Sequence, residues 1–408
     1  MNIKIRLTLM NFLQYAVWGA WLISLGAYLG NTLKFDGLQI GSFFATMGIA
    51  SLFMPAVMGI IADRWIPAQR LLGLCHLCAA GFIALAATRT DYNTLYTLVL
   101  LSVMFYMPTI ALSNSVAYNA LDKAGLDTVT HFPPIRVWGT VGFICAMWVV
   151  DLAKMGLSST QLYFSAALGL ILGLYSFTLP DCPTDRTAGS KSLVDVFGLR
   201  AFALFKQRKM AIFFIFSMLL GMSLQITNAF ADGYIKSFGD TLIHGDKYLR
   251  TFGVEHSTIL ISLSQISETL CILLIPFFLK RFGIKRVMLI AMFAWVLRFA
   301  LLGAGNPGPG VWMFILSMIV YGVAFDFFNI SGSLFVEKET AAAIRSSAQG
   351  VFMIMTNGLG ALIGSYLAGW IVSHYGWPLS WYLFAGFSLV VAIVFAIVFR
   401  YKHDPDQL

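Results

Sequence analysis

The sequence predicts an all-α membrane protein of twelve transmembrane helices in two six-helix bundles. Three observations carry this expectation. The 408 residues are 59% hydrophobic and only 11% charged, with a mean hydropathy of +0.79, outside the range of ordinary soluble domains. Twelve apolar runs are each long enough to cross about 30 Å of hydrocarbon. The longest polar stretch, Pro180–Lys209, rich in Pro, Thr, Ser and Lys, divides those runs six and six. The organisation that follows is an N-terminal bundle over 1–180, a cytoplasmic linker over 181–209 and a C-terminal bundle over 210–408.

The first run, 7–30, follows the basic segment Met1–Arg6 and is read as retained, since no cleavage site leading to a soluble mature chain follows it. It offers Asn11, Gln14 and Trp18. The second, 38–61, ends in Gly59–Ile60–Ile61–Ala62–Asp63–Arg64–Trp65. The third, 71–88, contains Cys75–His76–Leu77–Cys78, which looks like a metal or redox pair; inside a membrane helix without further ligands, packing is the favoured reading. The fourth, 94–119, carries Tyr106, Thr109, Ser113 and Asn114. Pro133–Pro134 opens the fifth, 135–153, where a helix start needs no donor, and Arg136, Thr140 and Phe143 then follow at i, i+4 and i+7. They form a basic, hydroxylated and aromatic stripe, although Arg136 also reads as an anchor at the inner surface. The sixth run is 161–179.

In the second half, the seventh run, 210–233, carries Gln225 and Asn228, and the eighth, 257–279, carries Gln265 and Glu268 at the same i, i+3 spacing, so each pair faces one way. The ninth, 286–304, contains Arg298. The tenth, 311–336, runs from Pro307–Gly308–Pro309–Gly310 to Glu337–Lys338–Glu339 and holds Asp326 about ten residues, roughly 15 Å, from its far charged end. Glu268 is likewise central. A carboxylate at that depth is expensive unless it pairs, hydrates or takes up a proton, so both mark a functional site. Two acids sharing a cavity disfavour joint ionisation, which suits a proton carrier. The structural alternatives are that Asp326 is hydrogen-bonded glue within the bundle and that Glu268 pairs with Arg298. The eleventh and twelfth runs are 344–370 and 379–399.

Of the 27 Lys and Arg, Lys34, Arg89, Lys154, Lys236, Lys247 and Arg250 fall in alternate loops, Arg298 is buried, and the remaining twenty lie on the side of the N-terminus. Basic residues are retained on the cytoplasmic face, so both termini are expected there. The net charge of +8 therefore reports topology and not nucleic-acid binding. Five cysteines, Cys75, Cys78, Cys145, Cys182 and Cys271, four of them within apolar runs, imply no disulfide framework. The segment after the second run has a degenerate echo in Pro276–Phe277–Phe278–Leu279–Lys280–Arg281–Phe282 after the eighth, matching position and basic residue but not the acid. Six plus six helices with such loops resemble the major facilitator superfamily, whose two bundles rock about a central site.

No Gly-x4-Gly-Lys-Ser/Thr loop, His-Glu-x-x-His or Gly-x-Ser-x-Gly occurs, which argues against a nucleotide-driven pump or an intramembrane enzyme, and Pro180–Lys209 is too short for a receptor's output domain. No metal, cofactor or nucleic acid is called for. A transporter remains. Amides and hydroxyls with flat rings such as Phe143, Tyr321 and Phe325 suit a neutral, polyhydroxylated ligand that carries a flat ring.

The stretches Phe132–Pro–Pro–Ile–Arg–Val–Trp–Gly–Thr–Val–Gly–Phe143, Leu224–Gln–Ile–Thr–Asn228, Ser264–Gln–Ile–Ser–Glu–Thr269 and Val320–Tyr–Gly–Val–Ala–Phe–Asp–Phe–Phe–Asn–Ile–Ser331 closely resemble the bacterial nucleoside:proton symporters, as does Met210–Ala–Ile–Phe–Phe–Ile–Phe–Ser–Met–Leu–Leu–Gly221. The resemblance runs from the first helix to the last. It implies proton-driven nucleoside uptake across a Gram-negative inner membrane by a multi-pass protein with nucleoside, protons and membrane lipid as partners, expected to work as a monomer. It further implies substrate contacts by Arg136, Thr140, Phe143, Gln225, Asn228, Gln265, Glu268, Tyr321 and Phe325, and proton coupling by Asp326 with Glu268 as the second acid. The alternative is an uncoupled facilitator, or a symporter, for sugars or other small polyols. One departure stands out: after Asn228 the family leads one to expect Gly–Asn, and this chain has Ala231–Asp232. Asp232 lies one turn beyond Asn228, where it either adds acceptors at the cavity mouth, favouring guanosine over xanthosine, or caps the helix exit or faces Lys236.

Overall fold

The computed structural model describes residues 2–182, 184, 199–341 and 344–401. Of the expected linker, 181–209, residues 183 and 185–198 lie outside the described residues. Within them the chain is helical, without strands. In order come α1 (Ile3–Gly19), α2 (Gly37–Arg64), α3 (Ala68–Ala86), α4 (Tyr92–Lys123), α5 (Thr128–Leu152), α6 (Thr160–Ser176) and α7 (Arg208–Ser237). The helical stretch Ser257–Ala304 is two helices, α8 (257–282) and α9 (284–304), separated by a break at Gly283 (φ 76°, ψ 165°). Then follow α10 (Val311–Glu339), α11 (345–375) and α12 (Leu379–Val398). Among the described residues nine helices, with Ser257–Ala304 taken as one, are long and apolar enough to cross a membrane. The 17-residue helices α1 and α6 complete the twelve spans, α1 being prolonged by short turns at Leu25–Ala27 and Tyr28–Thr32.

Local chemistry sets where the helices begin. Asn2 and Asp91 accept hydrogen bonds from Lys4 N (3.0 Å) and Thr94 N (2.9 Å), capping α1 and α4. The start of α5 differs from the expectation that Pro133–Pro134 opens it. The Asp127 carboxylate accepts from Thr130 N at 2.9 Å, and the helix begins at Thr128, leaving both prolines inside it. A good N-cap thus starts the helix more than a turn early, and the prolines, which lack N–H groups, donate no helix hydrogen bond from their positions.

Two compact units form, one comprising Met1–Phe35 and Thr46–Ser192, the other Asp36–Ala45 and Leu193–Leu408. Hydrocarbon gives little hydrophobic drive between helices, so close backbone approach at small residues does the packing. In the first unit, a methyl on Gly142 of α5 would come within 2.8 Å of the Phe12 carbonyl carbon on α1, and one on Gly19 within 2.9 Å of Phe143 Cα. Leu7, Leu72, Val116, Leu121 and Leu172 fill its interior with no exposed surface. In the second unit, a methyl on Gly221 of α7 would lie 2.8 Å from Thr356 Cα, where α11 widens into a π-helical stretch, Ile354–Gly360. Phe213 fills the adjoining core between Phe335 (4.7 Å) and Phe352 (5.4 Å).

Candidate functional site

The expected site residues fall into two groups, one in each unit. In the second unit, α8 and α10 are pressed together at Ser267 and Gly322. A methyl on Gly322 would come within 2.7 Å of the Ser267 carbonyl carbon, and the Ser267 hydroxyl donates across to Ile319 O. Glu268 is the next residue on α8 and Asp326 is one turn past Gly322 on α10, so the contact that only glycine permits brings the two acids within electrostatic reach of each other. Asp326 is 5% exposed, and its Oδ2 has no hydrogen-bond partner among the described residues.

Beside this pair the rings of Tyr321 and Phe325, at i and i+4 on α10, lie parallel at 6° with centroids 5.6 Å apart. Trp295 meets Tyr321 edge-on at 6.1 Å, and the Arg298 guanidinium sits 4.7 Å over the Tyr321 ring. Arg298 is buried and donates to Ser317 O at 2.6 Å and to Ser264 Oγ at 3.4 Å. Those bonds and the ring beneath hold the guanidinium in place. On α7, Gln225 is buried and Asn228 half-buried three residues on; on α8, Gln265 and Glu268 are half-buried. The Oε1 atoms of Gln225 and Gln265 are buried without partners among the described residues. With Asp326 Oδ2 they make three acceptors that ligand hydroxyl or amino groups can satisfy.

In the first unit, Arg136 stacks its guanidinium 4.0 Å over the Tyr15 ring and is half-buried, as is Thr140. Phe143, one turn further, is buried and meets the Trp18 ring edge-on at 6.3 Å. The other polar residues of α1 and α4 divide. Asn11 and Ser113 bond back to their own helices, at Leu7 O (3.0 Å) and Ile110 O (3.0 Å). Gln14, Tyr106 and Thr109 belong to a buried network with His76. His76 was visible in the sequence only beside two cysteines; its partner, Gln14, is 62 positions away and no local pattern connects them.

Asp232 resolves differently. It is 1% exposed and accepts from Lys236 Nζ at 2.7 Å on one oxygen, and from Ser257 Oγ and Thr258 Oγ1 (3.2 Å) on the other. Both oxygens are therefore engaged in tying α7 to the start of α8, in keeping with the reading that faced it towards Lys236.

A model of the nucleoside H+ symporter family matches residues 1–404. The nucleoside permease NupG of Escherichia coli (strain K12) is 50% identical over 410 residues, spanning 99% of this chain and 97% of that protein. The xanthosine permease of the same organism is 50% identical over 415 residues, spanning 100% and 98%. A crystal structure of a point mutant of the nucleoside transporter NupG superposes with a TM-score of 0.94 at 49% identity, covering 98% of this chain and 100% of that one. With a family model spanning nearly its whole length and two curated relatives at half identity, the chain is a member of the nucleoside H+ symporter family with the major facilitator fold.

Proposed function

We propose that this chain imports nucleosides across the bacterial inner membrane together with protons, by alternating access of bundles 1–180 and 210–408 joined by the cytoplasmic linker 181–209, with both termini in the cytoplasm. The observation that carries the reading is the buried Asp326, with one oxygen unpartnered, set against Glu268 beside the parallel rings of Tyr321 and Phe325. Asp326 takes the coupling proton, and its neutral form permits return of the loaded carrier. Glu268 modulates that site by repulsion and accepts from the substrate. Tyr321, Phe325 and Phe143 offer faces for the base, while Gln225, Asn228, Gln265, Thr140 and Arg136 hydrogen-bond base edges and ribose hydroxyls.

One proton crossing 100 mV releases about 2.3 kcal/mol, which supports roughly 50-fold accumulation of a neutral substrate. Counterflow of labelled uridine against labelled sugars, with and without an uncoupler, tests the assignment. Uridine exchange that survives the uncoupler, with uphill uptake that does not, is the expected result. Sugar exchange at the expense of uridine, or accumulation indifferent to the uncoupler, would overturn it.

A further inference from the structure

His76 lies in α3 with no exposed surface, and the transport reading leaves it without a role. Its hydrogen bonds fix its tautomer. Thr109 Oγ1 donates its hydrogen to Tyr106 O at 2.6 Å, so towards Gln14 it can only accept, and the Gln14 atom 2.7 Å away is the amide nitrogen. The amide oxygen of Gln14 then faces His76 Nε2 at 2.8 Å, and that nitrogen carries the ring hydrogen. The Tyr106 hydroxyl completes the set by donating to Gln14 O at 2.7 Å. Three helices, α1, α3 and α4, thus meet at Gln14, whose side-chain nitrogen and oxygen each have a partner and whose backbone carbonyl receives the Tyr106 hydroxyl.

From there the arrangement leads to the expected substrate surface. Trp18 is one turn beyond Gln14 on α1, with its ring 5.7 Å from Tyr106 and its edge-on neighbour Phe143 at 6.3 Å. The backbone of α1 at Gly19 touches that of Phe143 directly. The His76 ring packs against Tyr106 at 5.9 Å and 77°. A rotation of α1 about its own axis would therefore move Trp18 and the surface against which Phe143 of α5 is seated, and the His76–Gln14 bond is one of the contacts that oppose it.

We propose that His76 is a positioning residue for nucleoside binding: by donating from Nε2 to Gln14 it holds α1 in the rotation that presents Trp18 and Phe143 to the base. This rests on the reading of Phe143 as a substrate contact. Nδ1 has no partner among the described residues, so the single directed donor is what the side chain supplies. A glutamine at this position can present an amide N–H in the same place, whereas a leucine fills the space and leaves the Gln14 oxygen buried without a donor.

The test is uridine counterflow into proteoliposomes containing the full chain, comparing the parent with His76→Leu, His76→Gln and Thr109→Val. The expected result is a KM raised about tenfold in His76→Leu with kcat within about twofold, since a lost buried partner disturbs binding and not the transport step. His76→Gln should return KM to within about threefold of the parent, by keeping the donor. Thr109→Val, which frees the other end of the Gln14 amide, should show the same KM-selective defect, and it carries the test if His76→Leu does not insert. Parental KM in His76→Leu, loss of kcat at constant KM, or a parental KM in Thr109→Val would overturn the positioning role. Absence of uridine exchange in the parent would instead overturn the transport reading on which it rests.

Discussion

Replacing Asp232 by Asn should destabilise the protein without altering which nucleosides it takes. The carboxylate is 1% exposed and receives three donors, from Lys236, Ser257 and Thr258. Asparagine keeps one acceptor for the hydroxyls but turns an amide towards Lys236 Nζ, whose side chain is 11% exposed and so loses its counter-charge in a nearly closed setting. Removing one partner of a fully buried pair costs about 3–5 kcal/mol. Lys236 lies in the last turn of α7 and can extend its ammonium towards water, which brings the expected loss to about 2 kcal/mol. SDS-induced unfolding of the detergent-purified protein measures it. The double substitution Asp232→Leu with Lys236→Leu should recover part of that loss, because no charge is then stranded although the buried Ser257 and Thr258 hydroxyls lose their acceptor. In competition against uridine uptake, the ratio of guanosine to xanthosine inhibition constants should stay at its parental value in Asp232→Asn. Unchanged stability together with a shifted ratio would refute the reasoning and restore the carboxylate to the cavity mouth.

Gln225→Ala and Asn228→Ala should each weaken nucleoside binding by about 1–3 kcal/mol, the usual cost of leaving a ligand group unpaired; calorimetry that finds both within error of the parent would make these amides bundle glue. Gly283→Ala should destabilise the chain by roughly 1–3 kcal/mol, since φ 76° with ψ 165° is a conformation held almost only by glycine. Equal unfolding midpoints for that variant and the parent would show that α8 and α9 can join without the break.

The twelve spans were legible because hydrocarbon demands length and apolarity, and both are written locally. What escaped was set by packing between distant residues. The start of α5 moved because Asp127 is a better cap than the proline pair is a start. The π-helical stretch at Ile354–Gly360, against which Gly221 is seated at Thr356, is announced by nothing in residues 344–370. The depth of Asp326 and Glu268 could be counted along their helices, yet their proximity depends on Gly322 lying against Ser267. Arg298 was conspicuous as a charge in an apolar run; that Ser317, Ser264 and the Tyr321 ring hold it required the fold.

Proton coupling through Asp326 is most directly tested by uridine uptake into proteoliposomes containing Asp326→Asn, measured with an imposed proton gradient and, separately, as downhill exchange. The amide is nearly isosteric with the acid but cannot carry the proton. The account predicts that uphill accumulation is abolished while part of the downhill exchange survives. Accumulation at the parental level under the proton gradient would contradict it.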